Sequence, residues 1–330
     1  MRTGTLAVDR NGSRGFVGEL IGGTYASRFG ARSWTFPGAI ADRAAWVVLL
    51  GMGVVFGLAW AVSGIRPIDA DVYWQASLDH LYEAQAWMPG HELAYLYPPP
   101  LAQAMAVVHL VGWPVFIAVW TVVLFAATAY AGRAWALALV AIGIVLFPFV
   151  GFEHPLRHPL LYPLLGNIQP LLVAAIVASF RFPALWSVVV LTKLAPGIGA
   201  LWYAFRGEWR SFAIAVGATL ALGLVSFAIA PALWFQFADF ALHNTGAQAP
   251  GDIVTISFPI RLAMAVGFLF WGARTNRRWT VPVAAGWAVI ALFEWAFVEF
   301  WMAAPVLWAK DRRQATVDAA APAQPEVAMP

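Results

Sequence analysis

Long apolar stretches separated by short polar segments run along most of this chain. The first, AAWVVLLGMGVVFGLAWAV at 44–62, contains no charged residue and approaches the length of about 20 residues that a helix needs to cross a bilayer. Further stretches of this kind lie at 99–112, 114–131, 134–150, 168–180, 183–205, 211–230, 257–273, 279–293 and 295–309. The pattern predicts an all-α integral membrane protein, a polytopic bundle of about ten transmembrane helices in which the shorter stretches are paired, tilted or re-entrant.

Clusters of Arg and Lys predict how this bundle is oriented in the cell membrane. Cytoplasmic segments carry an excess of these residues, and ten spans place every cluster on the cytoplasmic side together with both termini. The clusters are residues 1–43, Arg206/Arg210, Arg274/Arg277/Arg278 and Lys310/Arg312/Arg313. The same scheme places the loops 63–98 and 231–256 on the extracytoplasmic side, and it leaves Arg133 and Arg181 facing outward against the rule.

The two ends of the chain differ from the apolar middle, 44–310. Residues 1–43 contain six Arg and many Gly and Ser but no apolar run of signal-peptide length, so we interpret them as a flexible cytoplasmic segment. The Ala- and Pro-rich residues 311–330 cannot bury a core and are predicted to form a disordered cytoplasmic tail. The chemistry is therefore expected in the polytopic domain between them.

The composition agrees with a lipid environment and excludes several classes of protein. Apolar residues make up 61% of the chain and charged residues 11%, whereas soluble domains are about 25% charged. The 18 Trp suit rings that lie at headgroup depth. The absence of Cys excludes disulfides and Cys-ligated zinc, and a net charge of +3 without a basic and aromatic run indicates no nucleic-acid partner.

The loop 63–98 combines acidic and aromatic residues directly after the first span. Apolar residues at helical spacing predict short interfacial helices in this loop. On such a helix Asp69 and Tyr73 share one face, and Asp71 lies on the opposite face with Trp74. Only one of the two carboxylates can then line a given cleft, and its surroundings favour Asp69. For both aspartates the alternative is a cap at the start of the helix.

Polar residues also interrupt later apolar segments. Asn167 and Gln169 stand in LLYPLLGNIQPLL (160–172), and Lys193 stands in LTKLAPG (191–197). An ionisable residue at membrane depth is costly, so Lys193 is a functional candidate. The alternative for Lys193 is snorkelling of its ammonium group to the interface.

Four short motifs follow one another in the order and at the distances of a known family. They are PIDADVYWQA (67–76), YPPP (97–100), GNIQPLL (166–172) and KLAPG (193–197). Together they resemble glycosyltransferase family 87, multi-spanning enzymes of the GT-C superfamily that use polyprenol-phosphate-linked sugars. The resemblance covers about residues 44–275. The chain departs from the family in its short length and in Asp71, where the family often has a different polar residue.

This resemblance implies a GT-C fold and the inverting transfer of a sugar, with mannose expected, from a polyprenyl-phosphate donor to a lipid-linked or glycan acceptor on the outer face. Asp69 matches the family's Asp-x-x-Val-Tyr motif and would be the general base. A phosphate leaving group departs as an anion, so it needs positive charge and no second acid. The sequence requires no cofactor and no metal, although a divalent metal is compatible with it. The substrate-binding candidates in these motifs are Asp71, Tyr73, Trp74, Tyr97, Asn167, Gln169 and Lys193.

Further candidates for contacts with the donor phosphate lie in and after the loop 231–256. His243, Ser257 and Arg261 precede or open a span, where they would stabilise the charge that develops on the phosphate. Arg261 is alternatively a helix-end anchor, and His243 is alternatively a solvated loop residue.

The segment GFEHPLRHPL (151–160) contains His154, Arg157 and His158. Two His at i and i+4 have the spacing of some metal sites, but the two prolines of the segment oppose a regular helix. We therefore expect these residues to make sugar or phosphate contacts or to form an interfacial cluster, and we assign no metal ligand.

A transporter or lipid flippase is the main alternative function, and a structural membrane subunit is the second. Transporters often carry internal repeats, and the sequence shows none. In an enzyme, Asp69, Lys193 and Arg261 are expected to converge on one outward cavity, whereas a transporter would line a route across the midplane. Glu299, in the last apolar stretch, is expected in a packing or loop role, and the alternative is that it lines a groove for the lipid donor.

Overall fold

A computed structural model of the chain describes residues 39–76, 81–82, 95–150, 161–244, 256–289 and 296–320. Within these ranges the chain is helical and contains no strand, which confirms the all-α prediction. The helices are α1 Ala39–Ser63, α2 Ile68–Gln75, α3 Pro99–Val108, α4 Trp113–Gly132, α5 Ala134–Val150, α6 Leu161–Leu165, α7 Gln169–Ser179, α8 Trp186–Thr192, α9 Leu201–Arg206, α10 Trp209–Ile229, α11 Pro231–Asn244, α12 Phe258–Arg274, α13 Thr280–Trp287, α14 Ala296–Trp301 and α15 Ala304–Ala320. Segments of 3₁₀ helix lie at His109–Val111, Pro183–Leu185 and Ala195–Ala200.

Helices α1 and α4 form a long antiparallel pair. A Cβ atom on Gly57 of α1 would lie 2.8 Å from the carbonyl oxygen of Ala118 in α4, so only glycine permits this approach of the two backbones. Small residues allow such close contacts between membrane helices. At one end of the pair, Asp42 of α1 forms an ion pair with Arg133 directly after α4, at 3.3 Å.

The antiparallel arrangement of α1 and α4 shows that the span predicted at 99–112 is wrong. The end of α1 and the start of α4 lie at the same end of the pair, so the chain between them leaves and returns at that end. The stretch 99–112 therefore does not cross the bundle between these helices, but forms α3 and a short 3₁₀ turn. Arg133 is also corrected: it lies at the opposite end, with Asp42, where its charge reaches Lys310.

Within the described ranges, three helices are long and apolar enough to cross a membrane, judged by length and composition. These are α1, α4 and α10, and shorter apolar helices lie at Pro99–Val111, Gln169–Ser179 and Pro183–Thr192. The predicted number of about ten spans is not confirmed. The predicted span 183–205 is divided into short helices, because Lys193 has an extended backbone (φ −133°, ψ 107°) and Pro196 cannot donate to a helical ladder.

The end of α7 lies beside a basic segment. The Ser179 carbonyl accepts a hydrogen bond from the Tyr203 hydroxyl at 2.7 Å, and Arg206, one turn after Tyr203, donates to the Asn276 side chain at 2.8 Å. Arg181 follows α7 directly and so lies at the end of the bundle that carries Arg206. The ten-span scheme, which placed Arg181 at the other end, is wrong here.

The two ends of the apolar domain also differ from the prediction. Helix α1 begins at Ala39, before the predicted start at 44, and residues 1–38 lie outside the described part. Helix α15 continues to Ala320, well into the segment predicted to be a disordered tail. Ala, Arg, Gln and Asp residues continue the helix there without a Pro or Gly, and these side chains are compatible with helix.

A cluster of buried side chains surrounds α2 at the end of the bundle where α1 ends. It includes Tyr73 of α2, Tyr97, Leu101 of α3, Ile117 of α4 and Ile168 before α7. Helix α2 is thereby held between the long helices and the start of α7. It is a short helix within the loop 63–98, where short helices were predicted, while its predicted position at the membrane interface stays a prediction. Residues 77–80 and 83–94 of that loop lie outside the described part.

Candidate functional site

Gly166 brings the start of α7 against α2. Its φ is +77°, and an added Cβ atom would lie 2.9 Å from the backbone nitrogen of Ala70. The Gly166 carbonyl accepts a hydrogen bond from the indole nitrogen of Trp120 at 2.7 Å, which fixes the turn to α4. A glycine is required both for the left-handed conformation and for the close contact. The motif GNIQPLL therefore meets PIDADVYWQA at its glycine.

Two tyrosines form hydrogen bonds next to the contact between Gly166 and Ala70. The hydroxyl groups of Tyr73 and Tyr97 are 3.0 Å apart, and the Tyr73 oxygen accepts a hydrogen bond from the backbone N–H of Ile168 at 3.2 Å. Both side chains are buried and their rings meet edge to face. Burial raises the pKa of both phenols above the ordinary value, so they remain neutral hydrogen-bonding groups.

Asn167 connects the tyrosines to the first aspartate of the loop. Its side-chain oxygen accepts a hydrogen bond from the Gln169 backbone N–H at 2.9 Å, so its amide NH₂ is the group left to donate. The Asn167 side chain hydrogen-bonds to the side chains of Asp69 and Tyr97. The buried amide therefore orients the Asp69 carboxylate.

The side chain of Lys193, directly after α8, reaches the same group of polar residues. Its ammonium group donates a hydrogen bond to the side-chain oxygen of Gln169 at 3.0 Å and lies 5.7 Å from the centre of the Tyr97 ring. The charge of Lys193 also reaches Asp69. The backbone is extended at Lys193, so α8 ends directly before this residue.

Asp69 is a partly exposed residue whose carboxyl group is poorly solvated. Burial raises the pKa of Asp69 to about 6, although the hydrogen bond from Asn167 and the positive charge of Lys193 act in the opposite direction. A carboxylate with this pKa is ionised at neutral pH and is more basic than an ordinary aspartate. The geometry is compatible with proton transfer from a bound hydroxyl group.

The structure thus brings together six residues predicted from the sequence. They lie where α2, the start of α7 and the end of α8 come together. The six are Asp69, Tyr73, Tyr97, Asn167, Gln169 and Lys193. Their roles in substrate binding and catalysis remain predictions.

Asp71 and Trp74 lie in other surroundings. The Asp71 carboxylate forms an ion pair with Arg66 at 2.8 Å and accepts a hydrogen bond from the Gln75 side chain. Helix α2 is preceded by Pro67 and has no side-chain cap, so neither aspartate is its N-cap. Both stand in its first turn, where the alternative placed them beside the helix dipole. The Trp74 ring packs among aromatic rings. Its partners are His109, Trp113 and Phe116.

The residues predicted to bind phosphate from the second outer loop do not form a common cluster with Asp69 in the contacts that the structure gives. Arg261 is buried and donates to the carbonyl oxygens of Trp287 and Val289 at 3.0 and 2.7 Å. His243 is exposed and pairs with Asp239 in its own helix. Ser257 is exposed and precedes α12. The helix-end alternative describes the contacts of Arg261 well, whereas phosphate binding by these three residues remains a prediction.

The predicted candidates His154, Arg157 and His158 lie in the segment 151–160, outside the described residues. Within the part of the chain that the structure describes, no group of three or more His, Asp or Glu side chains is arranged to hold a metal ion.

Glu299 lies near the candidate site, although it had low priority among the candidates from the sequence. It lies in α14, is 1% exposed, and its carboxyl group is within electrostatic reach of Lys193 and Asp69. The expected role was packing or a loop position, with the lining of a donor groove as the alternative. The signal that selected Lys193, an ionisable residue in an apolar segment, applies equally to Glu299.

Apolar helices that carry a carboxylate, a lysine and buried amides at one end define a membrane protein with a site suited to acid–base chemistry. The family model of Glycosyltransferase family 87 matches residues 95–322, more than half of the chain. The chain therefore belongs to this family and is a membrane glycosyltransferase, which confirms the resemblance seen in the motifs. The matched region begins after α2, so Asp69 lies outside it. Comparisons with curated proteins and with solved structures gave no match.

Proposed function

We propose that the protein transfers a sugar, with mannose expected, from a polyprenyl-phosphate donor to a lipid-linked or glycan acceptor, with inversion and with Asp69 as the general base. The observation that carries this proposal is the Asp69 carboxylate, which is partly exposed, poorly solvated and oriented by Asn167. Family membership supplies the reaction class. The reaction would take place on the extracytoplasmic face of the cell membrane, in the GT-C architecture that the motifs imply.

The proposed step needs one base. The Asp69 carboxylate takes the proton of the acceptor hydroxyl as its oxygen attacks the anomeric carbon of the donor. The bond between that carbon and the phosphate oxygen breaks, and the electron pair leaves with polyprenyl phosphate. Attack from the side opposite the phosphate inverts the anomeric configuration. No second carboxylic acid is needed, because phosphate leaves as an anion.

Lys193 is the cation best placed to act on this phosphate. It lies within electrostatic reach of Asp69 and is partly exposed, so a phosphate group beside Asp69 would meet a positive charge. Charge stabilisation of a developing anion is commonly a large contribution to catalysis. The buried Tyr73, Tyr97 and Asn167 would position the two charged residues. The proposal requires no cofactor.

A transporter or flippase was the alternative function. Membership of a glycosyltransferase family favours the enzyme. Asp69, Lys193 and Glu299 lie within electrostatic reach of one another, which also favours the enzyme. Arg261, the third residue expected at one cavity, instead contacts the carbonyl oxygens of Trp287 and Val289. We therefore develop only the enzyme.

A transfer assay tests the proposal. Purified protein is given radiolabelled polyprenyl-phosphate mannose and a lipid extract, and labelled glycolipid is measured for the wild type, Asp69→Asn and Asp71→Asn. Loss of a general base predicts a decrease of about 10²–10⁴-fold for Asp69→Asn. Asp71→Asn is the comparison on the same helix: the Asp71 carboxylate pairs with Arg66, so this variant is expected to lose less activity than Asp69→Asn.

Each other outcome of this assay is informative. Equal activity of wild type and Asp69→Asn would show that Asp69 is not the base, and Asp71 would become the candidate. Transfer from another polyprenyl-phosphate sugar but not from the mannose donor would refute mannose alone. Transfer from no polyprenyl-phosphate sugar would refute the donor class.

A further inference from the structure

Glu299 is a buried carboxyl group without a hydrogen-bond partner in the part of the chain that the structure describes. Both of its oxygens are inaccessible to solvent, and neither has a partner among the described residues. Buried polar atoms are bonded in the great majority of cases, and a buried charge is costly unless another charge compensates it. A purely packing role would be served better by an apolar side chain of similar size. The position of Glu299 therefore requires another explanation.

The compensating charge for Glu299 is Lys193. The interaction between these two residues is attractive, while the interaction of Glu299 with Asp69 is repulsive. Helix α14, which carries Glu299, packs against α7, and α7 begins with Gln169, the hydrogen-bond partner of the Lys193 ammonium. Glu299 thus acts on Lys193 from the buried side of the bundle.

Lys193 has two carboxyl groups within electrostatic reach but pairs directly with neither among the described residues. Its ammonium group is bonded to Gln169 instead. A direct ion pair with Asp69 would make that carboxylate a weaker base, because a close positive charge favours its ionised form. The attraction between the Lys193 ammonium and the buried Glu299 carboxylate opposes such a pair.

We propose that Glu299 is a positioning residue that, with Gln169, holds the Lys193 ammonium away from the Asp69 carboxylate, so that Asp69 stays free to accept the proton. This inference rests on the proposed function for its catalytic consequence. The pairing of Glu299 with Lys193 does not depend on it. The groups that act on Lys193 from the packed elements are Asp69 on α2, Tyr97 before α3, Gln169 on α7 and Glu299 on α14.

The first experiment measures thermal unfolding in detergent and needs no substrate. Wild type, Lys193→Met, Glu299→Gln and the double variant are compared. Glu299 is buried, so removing the positive charge that faces it is destabilising, whereas removing both charges is often nearly neutral. We expect Lys193→Met to lower Tm by about 5 °C or more and the double variant to recover at least half of that loss. Additive losses would overturn the pairing and leave Glu299 a packing residue.

The second experiment measures the pH dependence of transfer. In Glu299→Gln the ammonium group is expected to move toward Asp69, so the acid limb of kcat shifts down by about one pH unit and kcat decreases. Glu299→Asp keeps the charge and is expected to keep the limb in place. An unmoved limb in Glu299→Gln would overturn the positioning role, even if Lys193→Met does not fold.

The same pH profile is recorded for Glu299→Gln in the Lys193→Met background. No further shift is expected there, because Glu299 is proposed to act through Lys193. A shift of equal size in both backgrounds would show direct repulsion between the two carboxylates and would refute that route. The unfolding experiment remains decisive for the pair if no sugar is transferred at all, which distinguishes failure of this inference from failure of the proposed function.

Discussion

The Lys193 ammonium donates a hydrogen bond to the Gln169 side chain at 3.0 Å, which joins two motifs that are 24 residues apart in the chain. One residue opens α7 and the other follows α8, so this bond forms only after both helices have packed. It places the positive charge near Asp69 without an ion pair between them among the described residues. This hydrogen bond therefore fixes the position of the Lys193 ammonium group.

Replacing the acceptor of this bond is expected to disturb the site. Gln169→Leu removes the oxygen that holds Lys193, and a hydrogen bond to a charged group contributes about 1.5–3 kcal/mol. We expect kcat/KM for sugar transfer to fall by about 10–100-fold. Gln103→Leu is the control, because Gln103 is a half-buried glutamine of α3 whose side chain also makes one hydrogen bond between helices, to the Ser226 carbonyl at 3.0 Å. Equal effects of the two substitutions on transfer would contradict the assignment of Gln169 to the site.

The pH dependence of transfer should report the ionisation of Asp69. Its pKa is raised to about 6, and a general base is active only when it is ionised. Activity is therefore retained above pH 6 and falls about tenfold per pH unit below it, because the carboxylate becomes protonated. Residual activity of Asp69→Asn is expected to lack this limb. A wild-type limb near pH 4 would indicate an ordinary, solvated aspartate and contradict the environment described for this residue.

The contact between Gly166 and Ala70 should control both stability and activity. Gly166→Ala adds a strained left-handed conformation and a collision with α2. The conformation costs about 1–2 kcal/mol, and a displacement of Asp69 by about 1 Å can reduce the rate about 100-fold. Gly207→Ala is the control, since Gly207 has a φ of +74° but open space around it. We expect it to lower Tm slightly and to leave transfer unchanged. If both variants retain full transfer, the close approach is not needed for the site.

Much of the candidate site could be predicted from the sequence, because its residues carry strong local signals. Lys193 is charged within an apolar segment, and Asp69 follows a span in a motif that resembles a known family. Glu299 carries the same signal as Lys193, but no motif accompanies it. Its meaning depends on α14 packing against α7, a long-range contact that spacing does not encode. The carbonyl partners of Arg261 were hidden for the same reason.

The all-α class could also be predicted, while the number of spans could not. The stretch 99–112 has the hydropathy of a short span, but the pairing of α1 with α4 returns the chain to the end from which it left. Length and hydropathy do not distinguish a helix that crosses from one that is buried at one end of a bundle. The outward positions predicted for Arg133 and Arg181 came from the same error, and the packed helices place both residues elsewhere.

Cysteine labelling tests this topology directly, because the natural sequence contains no Cys. Single variants Ser63→Cys, Val111→Cys and Arg210→Cys place a thiol at exposed positions. A membrane-impermeant maleimide is applied to intact cells and the labelled fraction is measured. The pairing of α1 with α4 predicts that positions 63 and 111 react alike, and that position 210 reacts only after the membrane is permeabilised. The ten-span scheme instead puts positions 63 and 111 on opposite sides. Labelling of 63 but not 111 in intact cells would therefore restore the crossing at 99–112 and contradict the helix pair described here.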